Sequence, residues 1–215
     1  MKVLLIGADG KMGKEMSKYF DESGTKYFKI DKDNRNMTDK LDFDVILDFS
    51  TADALCDNLK LALGRKCPII VATTGHSQKN QQLITEYSKH IAVFLSANFS
   101  ILFTVFRKFL KAIKNIDGME VVVNEVHHKT KKDKPSGSAK ELIKLLNSKN
   151  IIPKVYALRV GDVVGEHGVE FYSKDEKLEI KHTAQSKQVF CHGAYLACKF
   201  MANKKSGLYG MEDIF

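Results

Sequence analysis

One run of this 215-residue sequence concentrates groups that could do chemistry: Glu125-Val126-His127-His128-Lys129-Thr130-Lys131-Lys132-Asp133-Lys134-Pro135-Ser136-Gly137-Ser138-Ala139. Two imidazoles at a strand end, followed within a few residues by lysines, place several cationic donors in one small volume. Pro135 reads as the opening of a helix, and Ser136, Gly137 and Ser138 then offer hydroxyls and unpaired backbone N–H groups, a ready-made carboxylate site. A solvated basic loop would account for the lysines but not for the Ser-Gly-Ser directly behind them. Such a set suits a small anion held beside a group that exchanges a proton.

A second set lies at the start of the chain. Gly7-Ala8-Asp9-Gly10-Lys11-Met12-Gly13 follows an apolar strand and opens a helix, the setting in which a glycine loop meets a dinucleotide pyrophosphate. Glycines without that setting would be only a tight turn. Asp31 ends the second strand, where a carboxylate reaches ribose hydroxyls; Lys32 beside it suits a 2′-phosphate. The pair points to NADH with NADPH tolerated. Ala72-Thr73-Thr74-Gly75 and Ser96-Ala97-Asn98-Phe99 end later strands, and their small residues and hydroxyls suit the nicotinamide end. By themselves they read equally well as ordinary turns.

The elements that must position these groups change character at mid-chain. Strands at Val3–Ile6, Lys26–Ile30, Val45–Phe49, Pro68–Thr73 and Ile91–Leu95 alternate with helices, predicting an α/β unit with a Rossmann-type parallel sheet. A helix over Leu102–Lys114, a strand over Glu120–Val126 and a helix over Ser136–Asn147 follow. Strands near Val155–Val160, Val169–Tyr172 and Lys177–Thr183 then form an α+β unit. A last apolar helix, Val189–Ala202, is expected to return to the first unit. The domains expected are therefore 1–99 with 188–215, and 100–187.

Composition excludes several classes. With 28% charged and 44% hydrophobic residues the chain is a globular protein, not a disordered one. No apolar run approaches a membrane span and no leader is legible, so a cytoplasmic location with no membrane partner is expected. Cys56, Cys67, Cys191 and Cys198 form no metal-spaced cluster, so no metal is expected; reduced thiols are. The net charge of +8 comes from lysines scattered on helices, without aromatic interleaving, which speaks against nucleic acid and suits an anionic cofactor and substrate.

The histidine run resembles the signature of the 4-hydroxy-tetrahydrodipicolinate reductase family, E-x-H-H-x-x-K-x-D-x-P-S-G-T-A, with Ser138 in place of Thr. Further resemblances follow in order: the glycine loop, Asp48-Phe49-Ser50, Thr73-Thr74-Gly75, Ala97-Asn98-Phe99-Ser100, Arg159-Val160-Gly161, Gly165-Glu166-His167, His182 to Ala194, and Gly207-Leu208-Tyr209. The resemblance implies NAD(P)H-dependent reduction of a small dicarboxylate in lysine and diaminopimelate biosynthesis. His127 would be proton donor or acceptor, and Lys131 a second donor or an orienting cation. His128, Ser136, Gly137 and Ser138 would bind substrate. It also implies a homotetramer joined through an open mixed sheet in the second unit. Ala72 replaces the family's Gly, Lys187 replaces its Arg, and the segment from Asp31 to Asp44 is shorter than in many members, so a peripheral element is expected to be missing. A non-catalytic redox sensor would need neither the acid nor the carboxylate cradle. An aspartate-semialdehyde dehydrogenase would need a nucleophilic Cys near the nicotinamide loops, and none stands there; a homoserine dehydrogenase is the remaining aspartate-pathway alternative.

Overall fold

In the first half of the chain the strands are apolar at successive positions, as helices on both faces of a parallel sheet require. The computed structural model describes residues 1–31, 37–114, 116 and 118–215. It divides the chain into two units, Met1–Phe99 with Phe190–Phe215, and Ser100–Val189. The first contains β1 (Lys2–Ile6), β2 (Lys26–Ile30), β3 (Val45–Asp48), β4 (Ile69–Val71), β5 (Ala92–Leu95) and β10 (Gly207–Tyr209). All pairings are parallel, in the order β10-β5-β4-β3-β1-β2. This is a Rossmann-type sheet. The Gly207-Leu208-Tyr209 segment, legible in the sequence only as a motif, is its edge strand.

Strand alternation sends successive side chains to opposite layers. Val3 and Leu5 pack with Met16 and Phe20 of α1 (Lys11–Glu22) and with Cys191, Ala194 and Cys198 of α6 (Gln188–Met201). Leu4 and Ile6 pack with Leu55 and Leu59 of α2 (Leu55–Gly64) and with Ile84 of α3 (Gln78–Ser88). The last helix therefore does return to the first sheet. Its two buried cysteines, seven residues apart, serve as apolar filler there. The shortened segment after Asp31 includes residues 32–36, so Lys32 lies outside the described residues.

The second unit is built on β6 (Glu120–His127), β7 (Lys154–Arg159), β8 (Gly165–Tyr172) and β9 (Lys177–Ala184), in the order β7-β6-β8-β9. β7 runs parallel to β6; the other two pairings are antiparallel. Only one face is covered. Phe103, Phe106 and Leu110 of α4 (Ile101–Ala112) and Leu142 and Leu146 of α5 (Gly137–Asn147) pack against Val121, Val123, Val169 and Phe171. The alternation of β6 carries Glu125 and His127 onto that same covered face.

Most boundaries shift by one or two residues, and two differences bear on the site. β8 begins at Gly165, four residues before the strand expected at Val169, because two glycines break the β pattern. Gly168 earns its place structurally: a Cβ there would lie 2.3 Å from Asn124 Oδ1 on the paired strand. Pro135 does not open α5. It precedes Ser136, whose hydroxyl accepts from Ala139 N–H as the N-cap.

The seat of α6 depends on Gly193. A Cβ there would stand 1.7 Å from the Phe99 carbonyl oxygen, a collision with backbone that no rotamer relieves. Gly193→Ala is therefore expected to destabilise the first unit by about 1–3 kcal/mol. Denaturant midpoints would measure this, and an unchanged midpoint would mean that the helix has slack the close approach denies.

Candidate active site

The glycine loop leaves β1 where the strand order reverses, between β1 and β3, the place where open α/β sheets take ligands. Gly7 has φ +79°, and a Cβ on it would lie 2.7 Å from the backbone of Phe49 and Ser50. A Cβ on Gly13 would lie 2.1 Å from the Gly7 carbonyl oxygen. The first glycine thus lets the turn lie against the end of β3, and the last lets α1 start directly on the loop. Gly10 caps α1 without a side-chain hydrogen bond, so the cap residue leaves the first-turn N–H groups of Lys11, Met12 and Gly13 to a ligand. A helix start with no side-chain cap, behind a loop turned on glycines, fits a pyrophosphate. Asp31 accepts a hydrogen bond from Asp9 N–H at 3.1 Å, which ties the end of β2 to Ala8 and Asp9 in the loop.

Neighbouring strand ends are held by their own networks. Buried Asp48 accepts from Ser50 N–H at 2.9 Å, Ser50 Oγ at 2.5 Å and Asn58 Nδ2 at 2.7 Å. Thr73, following Ala72 and preceding exposed Thr74, pairs its hydroxyl with His76 Nε2 at 3.1 Å. Ser96 donates its hydroxyl to the Asn98 carbonyl at 2.7 Å and accepts from Asn98 N–H, closing the turn around exposed Ala97. Phe99, grouped with the cofactor residues in the sequence, buries its ring in the core. It stacks on Phe94 with centroids 6.0 Å apart. Only its backbone belongs to the loop surface.

In the second unit the centre is Glu125, wholly buried at the end of β6. Arg159 grips it bidentately, Nη1 to Oε2 at 2.9 Å and Nη2 to Oε1 at 2.8 Å. Ser136 N–H donates to Oε1 at 3.2 Å, and the same carboxylate bonds His127 Nδ1. Burial alone would raise its pKa, but these partners hold it below the ordinary carboxylate value. Arg159 also donates to the carbonyls of Lys131, at 3.2 Å, and Asp133, so it braces the basic loop as well. Lys131 Nζ rests 2.7 Å from Asp133 Oδ1. Burial, with Lys131 and Arg159, holds the pKa of His127 below its ordinary value, and Glu125 acts against them.

His128, next along the chain, lies outside β6 and is only half-buried; its Nδ1 pairs with Thr130 Oγ1 at 2.7 Å. Ser136, expected to offer its hydroxyl to a ligand, is buried, and that hydroxyl is committed to the α5 cap and to His167 Nε2 at 3.1 Å. This is a correction to its expected part: it shapes the helix start, and Gly137 and Ser138 present it. A Cβ built on Gly137 meets nothing within 4 Å, so the protein's own packing does not demand glycine at this position.

Glu125, Arg159 and His167 were quoted in the motifs but given no role. The period-two spacing of Glu125 and His127 was the available signal for the first. Register supplies the others: Arg159 pairs with His127 and His167 with Glu125 across the sheet. Behind them lies a buried line of rings, with His127 and His167 centroids 5.0 Å apart and His167 and His182 6.5 Å apart.

Comparison with known proteins agrees along the whole chain. Residues 1–99 match the family model for the dihydrodipicolinate reductase N-terminus and residues 99–215 that for its C-terminus. A Thermosipho africanus protein named 4-hydroxy-tetrahydrodipicolinate reductase is 39% identical over 217 residues, covering 100% of this chain and 97% of its own. A Clostridium novyi protein of the same name is 37% identical over 245 residues, with 99% and 97% coverage. A solved structure of dipicolinate-bound dihydrodipicolinate reductase from Paenisporosarcina sp. TG-14 superposes with TM-score 0.79 at 18% identity, covering 100% of this chain and 99% of that one. That last likeness speaks for the fold.

Burial, with the neighbouring His127 and His182, lowers the pKa of His167 to about 3. Once unfolded, the ring takes a proton near its ordinary value of about 6.5. Between those values the unfolded state binds the extra proton, so stability is full above the upper one and is lost as pH falls. The loss from this one group approaches about 1.4 kcal/mol per pH unit. Denaturant unfolding of His167→Gln between about pH 7 and pH 5 is expected to show a shallower loss than the parent; equal slopes would acquit His167.

Proposed function

The chain belongs to the dihydrodipicolinate reductase family, and we propose that it reduces 4-hydroxy-tetrahydrodipicolinate to tetrahydrodipicolinate with His127 and Lys131 as its proton-handling residues. The reaction belongs to lysine and diaminopimelate biosynthesis and uses NADH or NADPH. The observation that carries the residue assignment is the convergence, within the second unit, of His127 and the α5 start on one carboxylate hub, Glu125, whose partner Arg159 also holds the Lys131 carbonyl.

The first unit holds the dinucleotide through the Gly7–Gly13 loop and the start of α1, with Asp31 toward the ribose, Lys32 toward any 2′-phosphate, and the 72–74 and 96–99 loops toward the nicotinamide. Asp31 also steadies the loop through Asp9 N–H, so its loss would weaken both dinucleotides as well as shift the preference between them. The reduced nicotinamide supplies hydride. Two electrons enter as that hydride with one proton, and the 4-hydroxyl departs with a further hydrogen as water.

The second unit holds the dicarboxylate. Gly137 and Ser138 at the α5 start bind one carboxylate, and His128, on the basic loop, completes the substrate-binding set. The chain keeps a fixed positive field around the substrate's two charges, which favours the anion without later reorganisation. Lys131 is held by Asp133 before substrate arrives, and a substrate carboxylate is a natural successor to that contact. His127 then gives up its proton as hydride is accepted.

We assign a homotetramer. The open face of the second sheet exposes Tyr156, Leu158 and Tyr172, apolar surface that wants covering. Its charges beside them are paired, Lys181 with Glu166 and Lys177 with Glu170, which lowers the cost of burial. The cytoplasm suits the four free thiols and the reduced cofactor.

Two tests follow. Aspartate semialdehyde and pyruvate condensed by the preceding enzyme should support consumption of NADH or NADPH, and His127→Ala with Lys131→Ala should abolish it while dinucleotide affinity stays unchanged. Turnover at the parental rate in that double variant would remove the assignment. Tyr156→Lys with Leu158→Lys should yield smaller species by light scattering; an unchanged mass would move the interface elsewhere.

A further inference from the structure

The two ring nitrogens of His127 are used differently. Nδ1 bonds Glu125 Oε2, and this is the one side-chain hydrogen bond the ring makes among the described residues, leaving Nε2 unengaged. An ionised carboxylate can only accept, so the neutral ring must carry its proton on Nδ1 and leave its lone pair on Nε2.

Glu125 cannot swing away from this duty. Its carboxylate is fully buried, both oxygens are gripped by Arg159, and Oε1 also takes the Ser136 N–H. Arg159 is fixed in turn by the Lys131 and Asp133 carbonyls. On the other side of the ring lies Gly165. A Cβ there would approach Nε2 to 3.0 Å and Cδ2 to 3.4 Å, so a side chain at this position would cover the nitrogen that Glu125 leaves free.

Resting on the functional reading above, we propose that Glu125, locked by Arg159, is a positioning residue that presents His127 Nε2 as the proton-donating atom, with Gly165 keeping that atom uncovered. In the forward step the Nε2–H bond breaks as the accepting atom of the substrate gains the proton. The ring is left neutral with its Nδ1–H still on Glu125, and it regains a proton on Nε2 from water. The titratable and charged groups acting on His127 are Glu125 on β6, Arg159 on β7, His167 on β8 and Lys131 on the basic loop. Among the named causes acting on its proton affinity, burial, Lys131 and Arg159 lower it and Glu125 alone raises it.

The test is a pair of measurements. A donor must be protonated, so turnover falls as pH rises through the His127 pKa. Glu125→Gln removes the one group that raises it, so the alkaline limb should move to lower pH, and turnover near neutrality should fall on the order of 10²-fold. A residue that merely supported the fold would lower the amount of active protein and leave the limb in place. Histidine-nitrogen NMR of the parental protein, with His127→Asn for assignment, reads the tautomer directly and needs no folded Glu125 variant. A neutral ring protonated on Nδ1 supports the proposal; one protonated on Nε2, or an unmoved limb in folded Glu125→Gln, overturns it. Failure of the parental protein to turn over substrate would instead defeat the functional reading and leave the tautomer result standing.

Discussion

A carboxylate with no solvent exposure is the constraint around which the second unit is organised. Stripping an ionised group of water costs several kcal/mol even after the protein relaxes, and Glu125 recovers this only by having its acceptor capacity met. Four donor groups do so, from three separate stretches of chain: two from Arg159 on β7, one from the backbone at the start of α5, and one from His127 on its own strand. Each donor is thereby fixed in place. The parallel pairing that sets Arg159 opposite His127 and the entry angle of α5 both answer to one buried charge.

The first unit meets its positional demands in a different way, by omission. Its loop is placed by the absence of side chains at Gly7 and Gly13, and its last helix by the same absence at Gly193, where a single added carbon would collide with backbone. A missing Cβ costs little when folded and permits close approach without electrostatic bookkeeping. A polyanionic dinucleotide can then meet backbone N–H groups directly, while a small dicarboxylate needs the fixed cations of the second unit.

How much of this was legible in the sequence follows the range of the forces involved. The strand–glycine–helix start is local, and so were the tandem histidines and the Ser-Gly-Ser behind them. The apolar strands and the return of α6 were legible because burial on a sheet face imposes a period. What escaped were consequences of register. Arg159 stands 34 residues from Glu125, and nothing in either neighbourhood says that β7 pairs in parallel with β6 at that offset. Ser136 was misread because a hydroxyl at a helix start suits a ligand and a cap equally well; only His167, brought by β8, decides for the cap. Phe99 was grouped with its loop because the ring's fate depends on Phe94 and Gly193, which local spacing does not connect to it.

His167 and His182 belong to the same logic. Basic groups are useful where an anion binds but harmful behind it, where they would compete with the substrate for the protonated state of His127. Burial keeps both rings neutral, and it lowers the proton affinity of His167 most strongly. A neutral His167 can still pair Nε2 with the Ser136 hydroxyl while that hydroxyl caps α5. The wall behind the proposed site is therefore uncharged yet hydrogen-bonded to the start of α5, where we propose the substrate carboxylate binds. Charge is confined to the loop of Lys131 and to the Glu125–Arg159 pair, and within that pair it is spent on orientation. The acid we propose can then be the single His127 imidazole, because its surroundings are either neutral or already partnered.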